Sequence, residues 1–310
     1  MLVECVPNFS EGRKVETIER IAQSIASVKG AWVLGRHLDV DHNRSVITFV
    51  ADPEVIIEAA LQAVATAAEL IDLRGHAGVH PRIGATDVLP FVPVSGVTME
   101  ACIAIAHEAG RRIWQELSIP VYFYERAALR DDRVRLEQVR GKGFEWLRQE
   151  IVLNPERAPD VGKAELHPSA GAIVVGARPF LIAFNVNLRT NDLVIARRIA
   201  HAVRERDGGL PFVKALGFEL KSRGLVQVSL NLIDYQQTAI AQAFAAVSAA
   251  AAMQGVEIAG AEIVGLVPRA ALDRAAGYFP LIENFRETLV LENLLESMKS
   301  QPGDNDKESF

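Results

Sequence analysis

The chain has 310 residues, 49% of them hydrophobic and 23% charged, with a formal net charge of -6. That is the make-up of one large or two ordinary well-cored globular domains. The acidic balance argues against a general binder of nucleic acid or anionic membrane, because phosphates call for an excess of Lys and Arg. Two cysteines, Cys5 and Cys102, are too few for a disulfide framework. The start "MLVECVPNFSEGR" carries Glu4 in its apolar stretch and no cationic segment, unlike a secretory leader. The longest near-apolar run, "AQAFAAVSAAAAMQG", falls short of the roughly 20 residues that a bilayer span takes. The expectation is a cytoplasmic protein with no membrane and no nucleic-acid partner.

In chain order, "LVECVP" reads as a short strand stopped by Pro7, and Ile18, Ile21, Ile25 and Val28 follow helical spacing. "AWVLGRHL" and "RSVITFVA" are strand-like, and "DVDHNRSV" offers either a metal set through Asp39, Asp41 and His42 or, the favoured reading, a polar hairpin turn between the two strands. Asp52 with Pro53 signals a helix start, running to about Asp72. "ATDVLPFVPV" is a strand whose prolines predict an edge or a strained course. Thr98 caps the next helix, and "VYFYE" is a further strand. Residues 130–163 are charge-rich and read as a connector, with "RLEQVRGKGFEWLRQE" a solvated helix face.

The second half repeats the order. "PFLIAFNVNL" is a strand, and Thr190 or Asn191 caps a helix. Then come "VKALGFEL" and "LVQVSLNLI", an Ala-rich helix from about Gln236 to Met253, and "EIAGAEIVGLVP". Two β-α-β-β-α-β halves predict an α+β fold of two tandem ferredoxin-like sandwiches. The expected division is 1–165 (connector included) and 166–296, with 297–310 a polar, disordered tail.

The chemistry gathers in "DLRGHAGVHPRIGATDV", which follows the second predicted helix. Its glycines and Pro81 make a helix unlikely across His76 and His80, and no cysteine lies near, so a metal pair is disfavoured. A solvated surface loop is one reading. An acid–base histidine beside Arg74 and Arg82 is another, since imidazole suits proton transfer near neutrality. Asn185 and Asn187 share one face of an otherwise apolar strand, a pattern suited to lining a cleft or binding a ligand.

Together, "LVECVPNFSEGR", "LIDLRGHAGVHPRIGATDVLPFVPVSGVTMEAC", "VGARPFLIAFNVNL", "LVQVSLNLIDY" and "EIVGLVPRAAL" closely resemble the formiminotransferase domain of the glutamate formiminotransferase family, from residue 2 to about 285. The resemblance implies transfer of a formimino group from N-formimino-L-glutamate to tetrahydrofolate, a cosubstrate, in histidine degradation. It implies a homodimer, a substrate tunnel or cleft between the two subdomains, and no metal. It makes His80 the catalytic histidine. It assigns folate contacts to Gly162, Lys163, Ala164, Glu165, Leu166, His167, Pro168, Ser169, Ala170 and Gly171. Arg82 is then expected on a substrate carboxylate, and Asn185 and Asn187 on pterin or formimino nitrogens. Any cyclodeaminase activity is expected from a separate protein. The alternatives are formyl transfer from 5-formyltetrahydrofolate to glutamate, and a folate-binding protein without turnover.

Overall fold

The computed structural model describes residues 1–78, 80–273 and 282–300. It is an α+β protein of two units, Met1–Phe180 and Leu181–Phe310, each with its own sheet. None of the described helices is long and apolar enough to cross a membrane.

In the first unit, β1 (Leu2–Cys5) and β2 (Asn8–Phe9) form one strand course broken at Val6–Pro7. There follow α1 (Val15–Ala26), β3 (Ala31–Asp39), β4 (Arg44–Ala51), α2 (Ile56–Leu70), β5 (Thr86–Ser95), α3 (Met99–Leu117) and β6 (Val121–Glu125). The unit is completed by α4 (Leu136–Arg140), α5 (Phe144–Leu153) and β7 (Ile173–Ala177). Across the seven-stranded sheet β3 pairs with β4, β4 with both β1 and β2, and these with β5, all antiparallel; β5, β7 and β6 then run parallel.

The periodicity that predicts α1 is the face it buries: Ile18, Ile21 and Ile25 pack with Ile56 and Ala63 of α2 and Cys102 and Ile113 of α3 against Val3, Phe49, Phe91 and Phe123. Thr98 caps α3 as expected, accepting from the Ala101 N–H at 3.2 Å. The Asp52 signal runs early, however. Residues 53–55 make a turn, and α2 begins at Ile56 without a side-chain cap.

Three expectations for this unit are corrected. Segment 130–163 is no loose connector: Val139, Leu147 and Ile151 pack on Val88, Tyr122, Tyr124 and Val174, forming a second, smaller core. Buried Arg133 pins it, 2.5 Å from Asp160 and over the Tyr122 ring. Strand β5 is central, between β1/β2 and β7. Its Pro90 is tolerated because Pro90 O accepts from the Val6 N–H at the break before Pro7, so the missing N–H faces the interruption in the neighbouring strand. Finally, the division between units falls after Phe180 rather than at 165/166, because β7 completes the first sheet.

The second unit runs β8 (Ile182–Leu188), α6 (Leu193–Val203), β9 (Val213–Leu220), β10 (Leu225–Leu232), α7 (Ile240–Met253) and β11 (Ile258–Val264). Its four strands lie in the order β11-β8-β10-β9, all antiparallel. Phe184, Val186, Val228 and Ile263 turn to one face, where Ile199 of α6 and Phe244 and Val247 of α7 cover them. Asp192, not Thr190 or Asn191, caps α6 by accepting from the Val194 N–H at 2.8 Å. Short α8 (Arg269–Asp273) and α9 (Leu291–Ser300) follow. The expected tail boundary at 297 therefore falls inside a helix, and 301–310 lie outside the described residues.

Candidate active site

The β3–β4 hairpin, the loop after α2, the start of β5 and the end of α4 converge on His80. The hairpin turn 40–43 is held by Asp39, whose Oδ1 accepts from the His42 N–H at 2.7 Å. Asn43 follows at φ 48°, accepting from the Gly12 N–H through Oδ1 and donating through Nδ2 to the Ala77 carbonyl. A short side chain with its own hydrogen bonds suits that left-handed position. The loop approaches the hairpin so closely that a Cβ on Gly78 would sit 2.5 Å from the His42 carbonyl oxygen. One on Gly84 would sit 2.0 Å from that of Ala172. Both glycines are therefore required by contact.

Asp87, fully buried at the start of β5, is the hub. Its Oδ2 accepts from Arg44 Nη1 at 2.9 Å and from Arg140 Nη2 at 2.5 Å, while Oδ1 accepts from the Ile83 N–H at 2.8 Å. Burial by itself would raise this carboxyl, but Arg140 and Arg44 outweigh it and hold Asp87 below the usual carboxylate range. Burial lowers Arg44 to about 10 against the pull of Asp87, which leaves it cationic at neutral pH. Arg44 also donates to Asn8 Oδ1 from Nε (3.2 Å) and Nη2 (2.9 Å).

The half-buried His80 has two contacts on Nδ1: the Pro81 carbonyl oxygen at 2.9 Å and Arg44 Nη1 at 3.2 Å. These call for opposite tautomers. The shorter contact, to an atom that can only accept, assigns the proton to Nδ1 and leaves the lone pair on Nε2. Desolvation, then the Arg44 and Arg140 guanidiniums, push His80 well below the ordinary histidine value. It is a neutral imidazole in a cationic surround. The His42 ring lies 5.9 Å away, centre to centre.

The other expected residues divide. Arg74 is exposed and pairs with Asp72 at 2.6 Å. His76 ties the loop to the hairpin through Nε2 and the Asn43 carbonyl at 3.1 Å. Arg82 reaches Glu145 of α5 at 2.8 Å and the His76 carbonyl at 3.0 Å through Nη2, while its buried Nε has no hydrogen-bond partner. Segment 162–171 is laced to the same loop. Ala85 and Leu73 N–H groups donate to the Ala170 and Ser169 carbonyls, and Ala172 N–H donates to Ile83 O. Within it Lys163, Ala164, Glu165 and Pro168 are exposed, while Ala170 and Gly171 are buried. Two blocks far apart in sequence thus meet along the loop that carries His80. Asn185 and Asn187 belong to the second unit and gather a set of their own.

Sequence reasoning missed Asp87 and Arg140. A carboxylate inside the apolar strand run "TDVLPFVPV" was a usable signal for the first. Arg140 had none, being one cation among many in a helical segment. Among the described residues no three His, Cys, Asp or Glu side chains are gathered as a metal set.

Models of the formiminotransferase domain match both units, the N-terminal subdomain over residues 2–178 and the following formiminotransferase domain over 183–295. The chain belongs to the formiminotransferase family. It is 46% identical over 296 residues to the glutamate formimidoyltransferase of Thermoplasma acidophilum, covering 95% of this chain and 97% of that one. With that of Streptococcus pyogenes the identity is 41%, over 95% and 98% of the two chains. With the rat formimidoyltransferase-cyclodeaminase it is 42%, over 94% of this chain and 56% of that longer one. The resemblance carried by the "GVHPRIG" and "AFNVNL" blocks extends across both units.

Proposed function

We propose that this chain transfers the formimino group of N-formimino-L-glutamate to tetrahydrofolate, giving L-glutamate and 5-formiminotetrahydrofolate, with His80 as the proton carrier. Family membership and the two relatives matched over nearly their whole length support the reaction class. The observation that carries the role of His80 is its neutral imidazole, hydrogen-bonded through Nδ1 to Pro81 O and kept unprotonated by burial and by Arg44 and Arg140.

In this reading N5 of tetrahydrofolate attacks the formimino carbon, forming a C–N bond and a tetrahedral centre that bears three nitrogens. Nε2 of His80 takes the N5 proton and returns it to the glutamate nitrogen as the old C–N bond breaks. One group serves as base and then as acid, which a base with a value below neutrality can do without trapping the proton. Arg44 and Arg140 supply the positive field for a donor that carries two carboxylates. Arg82, whose Nη2 pairs with the exposed Glu145 carboxylate, stiffens the loop and is the cation nearest in sequence to His80 for a substrate carboxylate. Residues 162–171 contact the folate, and Asn185 and Asn187 orient its pterin. Tetrahydrofolate is a cosubstrate, and the chemistry needs no metal. The strand order β11-β8-β10-β9, with the matching β-α-β-β-α-β run through β5, supports a tandem ferredoxin-like reading. A homodimer in the cytoplasm, acting in histidine degradation, completes the proposal.

The test is steady-state formimino transfer by the parent and His80→Ala. The variant is expected to keep folate binding and lose turnover by roughly 10²- to 10⁴-fold, the usual contribution of a positioned acid–base group. Equal turnover would remove His80 from the mechanism. More efficient formyl transfer from 5-formyltetrahydrofolate to glutamate would overturn the donor.

A further inference from the structure

The stretch "PNFSEG" places Asn8 at the head of β2, directly after the break at Val6–Pro7. Its backbone is fixed from both sides. Val6 N–H donates to Pro90 O and Ile47 N–H to Pro7 O, while Ser10 donates to Ala85 O through its N–H and to Gly84 O through Oγ at 2.7 Å. Phe9 is buried in the first core, so alternation turns Asn8 to the opposite face of the sheet. There Asn8 Nδ2 donates to the Val6 carbonyl at 2.8 Å. A carbonyl can only accept, so this bond fixes which end of the amide is the donor and leaves Oδ1 to face Arg44.

Oδ1 accepts from Arg44 Nε at 3.2 Å and from Nη2 at 2.9 Å, one whole edge of the fork. At the other edge Nη1 donates to Asp87 Oδ2 at 2.9 Å and lies 3.2 Å from His80 Nδ1. With the His80 proton on Nδ1 and given to Pro81 O, Nη1 meets a donor, so nothing in the ring draws the guanidinium there. Asn8 and Asp87 hold it in place. These two acceptors differ in charge. Asp87 is shared with Arg140, whereas the neutral amide satisfies two N–H groups without cancelling the guanidinium. After burial itself, Arg44 from β4 acts most strongly on His80. Arg140 from α4, the opposing Pro81 carbonyl and His42 from the hairpin turn follow in that order, and His42 Nδ1 lies 3.8 Å from Asp39 Oδ2.

We infer that Asn8 is a positioning residue: it pins the Arg44 guanidinium against His80 without neutralising it, so that the imidazole works as a base through Nε2. The inference rests on the proposed role of His80 as proton carrier. It also gives the interruption between β1 and β2 a task. In an unbroken central strand the Val6 carbonyl would pair with a neighbouring strand, and the Asn8 amide would lose the contact that orients it.

The test follows the Cε1–H resonance of His80, identified by its loss in His80→Ala, through a pH titration of the full chain, alongside the acid limb of kcat/KM for formimino transfer. The working form is the unprotonated ring, so a ring that binds its proton more tightly puts that limb at higher pH. Asn8→Asp keeps an acceptor for Arg44 and adds a negative charge that cancels it, so resonance and limb should both move to higher pH. Asn8→Ala removes the acceptor, lets the guanidinium turn away, and should move them in the same direction. In an Arg44→Met background, Asn8→Ala should add no further shift, because the group it acts through is gone. A lower melting temperature with His80 titrating as in the parent would make Asn8 merely structural and overturn the inference. So would a shift to lower pH, or one that persists without Arg44. The resonance needs no turnover: a parent that transfers no formimino group overturns the proposed reaction, while the titration still decides whether Asn8 holds Arg44 against His80.

Discussion

Around His80 the first unit sets two guanidiniums on one carboxylate, whereas around Asn187 the second unit sets two amides on one carboxylate, with the third amide, Asn187 itself, linked through Gln227. The carboxylates do different work. Asp87 neutralises buried cations, and the net positive surround controls whether an imidazole carries a proton. Glu262 aligns neutral amides, and the cluster it organises is left with an open donor and an open acceptor. A field that shifts a proton suits chemistry, and an oriented hydrogen-bond array suits recognition.

The harshest way to break the first cluster is Asp87→Ala. Removing the shared partner leaves Arg44 and Arg140 uncompensated in the interior, so a loss of about 3–5 kcal/mol is expected, read as a drop in the denaturant midpoint. Stability within 1 kcal/mol of the parent would show that the guanidiniums reach water readily and that Asp87 is no hub.

Glu4 in β1 probes the same unit at a distance from His80. It is 1% exposed, and burial pushes its carboxyl up to about 7 against the opposing pull of Arg178. A carboxyl raised above its unfolded value of 4.5 binds its proton more tightly in the folded state. Its contribution is therefore neutral below that value and becomes destabilising as pH climbs toward 7, by about 3 kcal/mol in all. Glu4→Gln should stabilise the chain by about that amount at pH 8 and hardly at all at pH 4. Parallel denaturation of parent and variant across that window checks it, and parallel curves would contradict it.

A gentler change sharpens the electrostatic claim. Since His80 is held well below the usual histidine value, the acid limb of kcat/KM for the parent should lie well under pH 6.5. Arg140→Met removes one of the guanidiniums responsible, so the limb should move to higher pH. A limb that stays in place would separate Arg140 from the imidazole. The smallest effect is expected at Arg74, whose exposed pair with Asp72 belongs to neither cluster; Arg74→Ala should change stability by less than about 0.5 kcal/mol and leave turnover intact.

Much of this molecule was readable locally. Helical spacing in α1, Thr98 before α3, and the alternation that isolates Asn185 and Asn187 from Phe184 and Val186 are short-range patterns, and local steric and hydrophobic rules act on them directly. The unusual backbone around Gly78 and Pro81 was visible for the same reason. Segment 130–163 misled because its charges dominate any local average, while the few residues that matter, Val139, Leu147 and Ile151, are apolar only on one face.

By itself the sequence determined the α+β class, the order of elements, the duplicated pattern and the candidacy of His80, Asn185 and Asn187. Only the tertiary structure decided that β7 joins the first sheet, that Arg140 and Arg44 share Asp87 beside His80, and that Glu262 orients Gln227. Those pairings join residues tens of positions apart. Their identity depends on which strands and helices become neighbours, and a partner chosen by sheet register or helix docking leaves no periodic trace in the chain around it.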